Sequence, residues 1–122
     1  MKLSKTHAVR PIGHVHSPLK RPADAPKGVE FVSEAVAPFM KRLREQPGKD
    51  IWLMGGGDLI ASFLEAGAID EFVITVTPVL LGAGLPLVAR RQRDVQLELV
   101  SSKPFEDGVV QLHYRVAGDG TR

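Results

Sequence analysis

Residues 50–60 read Asp50-Ile51-Trp52-Leu53-Met54-Gly55-Gly56-Gly57-Asp58-Leu59-Ile60 and decide the fold. The apolar run from Ile51 to Met54 offers hydrophobic side chains on both alternating faces, as in a central parallel strand covered on both sides. Three glycines then let the chain turn sharply and bring bare backbone close to another group. The following residues begin a helix, whose free N–H groups and positive dipole end favour an anion such as a nucleotide pyrophosphate.

The local pattern leaves two interpretations of this glycine turn open. The spacing Gly55-x-Gly57-x-x-Ile60 lacks the third glycine of the dinucleotide fingerprint, and no Lys-Ser/Thr pair follows as in a P-loop. The turn is therefore either a phosphate cradle or a tight strand-to-helix connection without a ligand. In the first interpretation, we expect Gly56 or Gly57 to have a positive φ angle and to face the phosphate.

Three blocks in close succession carry a resemblance to a known family. They are residues 48–59, the stretch Ala66-Gly67-Ala68-Ile69-Asp70-Glu71-Phe72, and the stretch Thr77-Pro78-Val79-Leu80-Leu81-Gly82-Ala83-Gly84-Leu85-Pro86-Leu87. Together they resemble the dihydrofolate-reductase-like family that includes the reductase domain of bacterial riboflavin biosynthesis. The resemblance implies an α/β fold of three layers, with a mixed sheet flanked by helices and ending in an antiparallel hairpin.

The resemblance also implies a function and a cofactor. It predicts an NADPH-dependent oxidoreductase that acts on a pterin-like or ribosylamino-pyrimidine-like substrate, as the phosphoribosylamino-uracil reductase of riboflavin biosynthesis does. The family's triple-glycine turn binds the cofactor pyrophosphate. By resemblance, that role falls here to the turn and the first helical amides, namely Gly55, Gly56, Gly57, Asp58 and Leu59.

A second group of cofactor contacts is implied near the stretch His14-Val15-His16-Ser17. Relatives have there a strand that ends in Ser-Arg and contacts the 2′-phosphate of NADPH. Ser17 is retained, but Pro18 replaces the arginine. We expect Lys20 and Arg21 to supply the positive charge instead.

The chain departs from the family pattern at its beginning. The Ala-Ser-Leu-Asp-Gly-like strand, the helix and strand after it, and the Gly-Arg-x-Thr loop are missing, so we expect the N-terminal part of the fold to be truncated. Substrate binding and proton delivery would be assigned to that part, and we therefore name no catalytic residue. A competing hypothesis follows: a non-catalytic truncated paralogue or fragment that self-associates through an exposed sheet or helix surface. We expect a homodimer.

Composition and charge limit the alternatives. The 122 residues are 43% hydrophobic and include no cysteine, and no apolar run approaches the ~18 residues of a membrane span. We expect a cytoplasmic protein without membrane contact. The first 28 residues hold six Lys or Arg against one Asp. Because no aromatic residues are interleaved with these charges, we interpret them as solvated rather than as a nucleic-acid site.

Periodicity predicts the order of elements. We expect a basic leader over residues 1–11, one reductase domain over 12–117, and a tail over 118–122. Strands are predicted over 12–16, 29–32, 50–54 and 70–77, followed by two half-buried strands joined through Asp107-Gly108 as a hairpin. Helices are predicted over 34–45, with Pro38 in the first turn, and over 58–66, with Gly67 at the end.

The remaining candidate sites are weak. His14 and His16 share a strand face but lack the third ligand of a catalytic zinc, so no metal site is predicted. His113 is expected in solvent or at an interface. The loop over 81–86 is either a packed connection or a wall beside the substrate. We interpret the basic cluster that follows it as solvated surface, namely Arg90, Arg91 and Arg93.

Overall fold

The computed structural model describes residues 1–3, 13–16, 23, 29–91 and 93–118. The elements in chain order are β1 (Lys2–Leu3), β2 (Gly13–His16), β3 (Val29–Val32), α1 (Val36–Glu45), β4 (Ile51–Trp52), α2 (Gly57–Glu65), β5 (Glu71–Val76), β6 (Leu97–Pro104) and β7 (Val110–Val116). The chain divides into two compact units, one of residues 5–50 and one of residues 1–4 and 51–122. Neither helix in the described part of the chain has the length and hydropathy that a bilayer crossing requires.

In the unit of residues 5–50, the described residues form a two-stranded parallel sheet and a helix. β2 pairs with β3 from Gly13 opposite Val29 to His16 opposite Val32. Helix α1 buries one face at the spacing that the sequence predicts, and Pro38 lies in its first turn, where its missing N–H has no intrahelical partner to lose. The buried residues of α1 are Val36, Phe39, Met40 and Leu43.

Arg42 ties the polar face of α1 to the segment before it. One guanidinium nitrogen, Nη2, lies 2.6 Å from Glu34 Oε1 and 3.2 Å from Glu30 Oε1. The guanidinium carbon also lies 5.5 Å from the centre of the Phe39 ring, within cation–π range. The hydrogen bond to Glu34 raises the pKa of Arg42 above its ordinary value. The guanidinium therefore stays charged and links β3, the turn and α1.

The second unit is built on a five-stranded sheet in the order β4-β1-β5-β7-β6. β1 runs antiparallel to both β4 and β5, so β4 and β5 are parallel to each other, with α2 as the connection between them. β7 is antiparallel to β5 on one side and to β6 on the other. The predicted mixed α/β sheet that ends in an antiparallel hairpin is confirmed.

Helix α2 ends as predicted, at a glycine. Gly67 has φ 62°, a conformation that costs little without a Cβ. Its N–H donates to Leu64 O at 3.0 Å, and Ala68 N–H donates to Phe63 O at 2.9 Å. This pair of bonds closes the helix and leaves Phe63 and Ala68 buried together with other apolar residues of this unit, namely Leu53, Ile60, Ala61, Ile69 and Phe72.

The prediction of a central strand buried on both faces over 50–54 is wrong. β4 covers only Ile51–Trp52 and, among the described strands, lies at one edge of its sheet. Leu53 is buried, but Trp52 and Met54 are 60% and 91% exposed. An apolar run shows that a strand has two hydrophobic faces, but it does not show whether other segments of the fold cover both.

The first described residues belong to the sheet of the second unit. Lys2 is opposite Trp52 of β4 and Glu71 of β5, and Leu53 N–H donates to Met1 O at 3.1 Å. Partial burial lowers the pKa of the Met1 amino group. Two residues are too few to show a hydrophobic period, and for that reason the sequence does not predict β1. The other leader residues, 4–11, lie outside the described part of the chain, and the division into leader, domain and tail stays a prediction.

The predicted hairpin is confirmed, with one difference in burial. Gly108 has φ 83°, and Asp107 Oδ1 accepts a hydrogen bond from Val109 N–H at 3.2 Å. A bulge interrupts the register between Leu99 and Ser101. β7 is largely half-buried, as expected, whereas every residue of β6 is exposed. β6 is the outer strand of the sheet, so one of its edges has no described neighbour.

Candidate functional site

The glycine turn connects β4 to α2 through one residue of unusual conformation. The positive φ angle, 116°, belongs to Gly55. Gly56 is the N-cap, with φ −26° and ψ 168°, and α2 begins at Gly57. The expectation of a positive φ at Gly56 or Gly57 is therefore wrong. The chain changes direction at Gly55, so Gly56 and Gly57 need no positive φ angle and serve as the N-cap and the first residue of the helix.

Gly57 is packed against another part of the backbone. A Cβ at this position would lie 3.0 Å from Pro86 O and 3.2 Å from Ala89 N. The Ala89 N–H also donates to Gly57 O at 3.1 Å, which fixes this approach. The close approach of the segment Pro86–Ala89 favours glycine at this position independently of any ligand.

Gly56 has a different environment. A Cβ at this position would meet nothing within 4 Å among the described residues, and the residue is exposed. Beside it, α2 offers amides of its first turn that have no intrahelical partner, because the first bond of the ladder is from Ile60 N–H to Gly56 O at 2.9 Å. Those amides belong to Gly57, Asp58 and Leu59. The turn is therefore open on the Gly56 side, next to backbone donors of the kind that bind anions at helix N-termini.

The carboxylate of Asp58 modifies this anion site. Asp58 lies in the first turn of α2, where it interacts favourably with the helix dipole, and its side chain is exposed. Its main-chain O accepts a hydrogen bond from Ser62 Oγ at 3.0 Å. Because a carboxylate repels phosphate, the useful group of Asp58 is its backbone N–H.

The other predicted cofactor contacts lie outside the described residues. These are Ser17, Lys20 and Arg21. Their approach to the 2′-phosphate stays a prediction. His14 and His16 lie in β2, opposite Glu30 and Val32.

The glycine-rich loop after β5 exposes its apolar side chains. Leu80 and Leu85 are 101% and 97% exposed, and Leu81 is also on the surface. The interpretation of this loop as a packed connection is wrong for these side chains. The backbone at its end, Pro86–Ala89, packs closely against Gly57.

A histidine–carboxylate pair lies on one face of the sheet. His113 Nε2 lies 2.9 Å from Glu71 Oε2, and both side chains are partly buried. The sequence predicts that His113 lies in solvent or at an interface. In the structure it is partly buried and lies beside Glu71. Val73 lies opposite His113, and Glu71 is two residues before it on β5, so both point to the same face. The alternation of side chains along β5 and β7 does not predict this pair by itself, because the residues that lie opposite each other depend on the register of the two strands.

Comparison with known proteins identifies the family. The family model described as the RibD C-terminal domain matches residues 21–111. The chain belongs to the RibD C-terminal domain family. The RibD C-terminal domain of this chain is 43% identical over 86 residues to "Uncharacterized protein YwjB" of Bacillus subtilis (strain 168). It is 39% identical over 88 residues to "Uncharacterized protein YyaP" of the same organism.

The matches to these relatives are partial. They cover 70% and 72% of this chain but 49% and 47% of YwjB and YyaP. The chain thus spans about half the length of the curated relatives it matches.

Solved structures confirm the RibD-like fold. A "Putative riboflavin biosynthesis protein" from Shewanella sp. PV-4 superposes with a TM-score of 0.69 at 25% identity, covering 85% of this chain and 59% of that one. A pyrimidine reductase-like protein from Corynebacterium diphtheriae superposes with a TM-score of 0.59 at 20% identity, covering 75% and 39%. This chain therefore shares its mixed α/β arrangement with both structures.

Proposed function

We propose that this RibD C-terminal domain is an NADPH-dependent reductase domain that acts on a ribosylamino-pyrimidine-like or pterin-like substrate. The observation that carries the proposal is the open side of Gly56, next to three first-turn amides of α2. NADPH supplies a hydride when bound, and the protein supplies position and electrostatics. Membership of the family and the riboflavin-related name of the Shewanella structure support this choice.

The residues of this chain would bind the cofactor in two places. The amides of Gly57, Asp58 and Leu59 would hold the pyrophosphate, with Gly56 leaving room for it. Lys20 and Arg21, with Ser17, would approach the 2′-phosphate. The absence of cysteine agrees with a cytoplasmic location, which we include in the proposal.

A charge placed at Gly56 tests the pyrophosphate site. A Cβ added at Gly56 or at Gly82 would have no described neighbour within 4 Å, so Gly56→Asp and Gly82→Asp are matched exposed substitutions. We expect Gly56→Asp to weaken NADPH binding about tenfold or more, since a carboxylate beside pyrophosphate replaces attraction by repulsion. Gly82→Asp should bind as the parent does. Calorimetric titration measures both. Equal affinity of the two variants would place the phosphate elsewhere, and a parent that binds neither NADPH nor NADH would refute the cofactor.

Cofactor preference tests the basic residues. The double variant Lys20→Ala/Arg21→Ala should lose affinity for NADPH and keep its affinity for NADH, because the two cofactors differ in the 2′-phosphate. Lys5→Ala/Arg10→Ala removes the same charge from another part of the basic segment and serves as the control. A parallel loss for both cofactors would mean that Lys20 and Arg21 act through general charge or folding.

A second candidate function is a non-catalytic chain that self-associates, and the exposed apolar loop favours it. Val79, Leu80, Leu81 and Leu85 lie on the surface within a few residues of each other, and such patches usually mark an interface. Sedimentation velocity should then show a dimer that binds no nicotinamide cofactor. A dimer that binds NADPH supports the first candidate together with the predicted homodimer, and a dilute monomer counts against association.

A further inference from the structure

Strand β6 is an open sheet edge that contains a bulge. Among the described strands it is the outer one of its sheet, and each of its residues, Leu97–Pro104, is exposed. Such an edge presents backbone N–H and C=O groups that can pair with a further strand. The bulge inserts Val100 as an extra residue, so a straight strand would lose its register with β6 at this point. A strand that pairs along all of β6 needs an extra residue at the matching place.

The hydrogen bonds at the two ends of β6 show which of its backbone groups point outward. Ala117 N–H donates to Gln96 O at 2.9 Å, and Phe105 N–H donates to Val109 O at 2.8 Å. Residues of an antiparallel ladder alternate between hydrogen-bonded and non-hydrogen-bonded pairs, so the direction of each residue of β6 follows from these two ends. The residues whose backbone groups point away from β7 are Leu97, Leu99, Ser102 and Pro104. The proline thus lies where its missing N–H breaks no bond to β7.

The outward residues are symmetric about the point between Val100 and Ser101. If two β6 strands pair antiparallel around a two-fold axis at this point, Leu97 lies opposite Pro104 of the second copy. Leu99 lies opposite Ser102 of the second copy in the same way. The extra residue of each strand then falls between the same two pairs, so the two bulges match. No other register of β6 against itself brings all four outward residues opposite one another.

The same register pairs opposite charges. Glu98 lies opposite Lys103 of the second copy, both side chains are exposed, and the two-fold axis forms this pair twice. Opposite charges on neighbouring strands stabilise their pairing, and like charges oppose it. We propose that β6 is the interface of a symmetric dimer, in which the β6 strands of two copies pair antiparallel about the point between Val100 and Ser101. The two five-stranded sheets then form one continuous sheet.

This interface does not depend on NADPH binding at the glycine turn. It gives the predicted homodimer a defined surface, which is different from the exposed loop over residues 79–85. The bulge and Pro104 make β6 a poor partner for an unrelated straight strand. A second copy carries the same bulge, and its geometry is therefore the complementary one.

Charge reversal on the whole chain tests the register. Glu98→Lys places two lysines opposite each other in each pair, and Lys103→Glu places two glutamates there. We expect each variant to dimerise at least about tenfold more weakly than the parent in sedimentation velocity at several concentrations. Glu106→Lys makes the same charge change at an exposed position outside β6 and should dimerise as the parent does. A parent that stays monomeric at millimolar concentration, or charge-reversed variants that dimerise as strongly as the parent, would overturn the proposal.

Mixing the two single variants separates the register from general effects of charge. In a mixed dimer, each pair of positions 98 and 103 again has opposite charges, so the dimer should reappear when Glu98→Lys and Lys103→Glu are combined in equal amounts. The double variant Glu98→Lys/Lys103→Glu should dimerise by itself for the same reason. Glu98 also lies opposite Arg115 within the chain, so circular dichroism checks that each variant is folded. Absence of a dimer from the mixture of folded variants contradicts the proposed pairing.

Amide hydrogen exchange of the parent tests the pairing without any substitution. The outward N–H groups of Leu97, Leu99 and Ser102 should exchange more slowly at high than at low protein concentration. The N–H groups of Glu98 and Lys103, which point toward β7, should change less. A dimer that leaves the outward amides unprotected, or one that Leu80→Ser/Leu85→Ser removes and charge reversal does not, would place the interface elsewhere.

Discussion

Three consecutive glycines have three different reasons for being glycine. Gly55 adopts a left-handed φ, Gly56 faces open space, and Gly57 leaves room for the backbone of Pro86–Ala89. Gly56 alone of the three has neither a positive φ angle nor a close neighbour among the described residues. A substitution can therefore separate folding from binding one residue at a time.

We expect Gly57→Ala to destabilise the fold and Gly56→Ala to leave it nearly unchanged. The new Cβ at Gly57 would be 3.0 Å from Pro86 O, in a segment held by the Ala89–Gly57 hydrogen bond. Overpacking of this kind costs roughly 1–3 kcal/mol, which exceeds the helix-propensity gain of alanine. Urea unfolding of both variants measures the difference. If Gly57→Ala is as stable as Gly56→Ala, segment 86–89 yields easily and Gly57 is not constrained by it.

The Glu71–His113 pair links two neighbouring strands. His113→Leu keeps the bulk of the side chain but removes the 2.9 Å contact, and should lower the free energy of unfolding by about 1 kcal/mol. His113→Gln retains a polar group that can donate to Glu71 and should lose less. Thermal unfolding at neutral pH compares the two. The opposite order of stability would show that apolar packing matters more than the hydrogen bond at this position.

At the scale of elements, helix α2 is fixed at both ends by glycine. At its C-terminal end Gly67 has φ 62°, so Gly67→Ala should cost about 1 kcal/mol of stability. Gly82→Ala is the control, since its Cβ would meet no described atom within 4 Å and its φ is not in the left-handed region. Denaturant unfolding should show a lower midpoint for Gly67→Ala alone. A midpoint equal to that of the control would mean that the helix end readjusts without cost.

Elements with a clear hydrophobic period or a turn motif could be predicted from the sequence. The burial of elements and the contacts between them could not. The spacing of Val36, Phe39, Met40 and Leu43 predicted α1, and Asp107-Gly108 predicted the hairpin turn, because both signals are local. Burial of β4 was mispredicted because Trp52 and Met54 have the same hydrophobicity whether or not another segment covers them. The constraint on Gly57 depends on the segment Pro86–Ala89, which meets it only in the folded protein.

At the scale of the whole molecule, the described residues expose large apolar side chains in several places, among them the loop over residues 79–85 and strand β6. If the loop over residues 79–85 is an interface, Leu80→Ser/Leu85→Ser should shift a dimer toward monomer while the fold is kept. Sedimentation velocity at several concentrations measures this. Leu97→Ser on the exposed β6 strand tests the other apolar surface. If the loop variant keeps its sedimentation coefficient and Leu97→Ser loses the dimer, the interface lies at β6 instead of the loop.

The parts of the candidate site that could be predicted are those that follow from a local sequence pattern. The position of the turn before α2 followed from Gly55, Gly56 and Gly57, and the family followed from three blocks of sequence. The open side at Gly56 emerged only from the folded structure, since all three glycines are identical in a local pattern. Arg91 was grouped with Arg90 and Arg93 as solvated, because adjacent arginines differ in burial only through tertiary structure.

Because β1 has only two residues, it affects the order in which the strands of the sheet unfold. Among the described strands, only Lys2–Leu3 joins β4 to the rest of the sheet by backbone hydrogen bonds. β5, β7 and β6 share long ladders and should open together in the global unfolding transition. The amides of Ile51–Leu53 should instead exchange with deuterium through a local opening of lower free energy, measurable by native-state exchange in small amounts of denaturant. Identical exchange free energies for β4 and β7 would show that α2 and the apolar core couple β4 to the sheet as firmly as a full-length strand would.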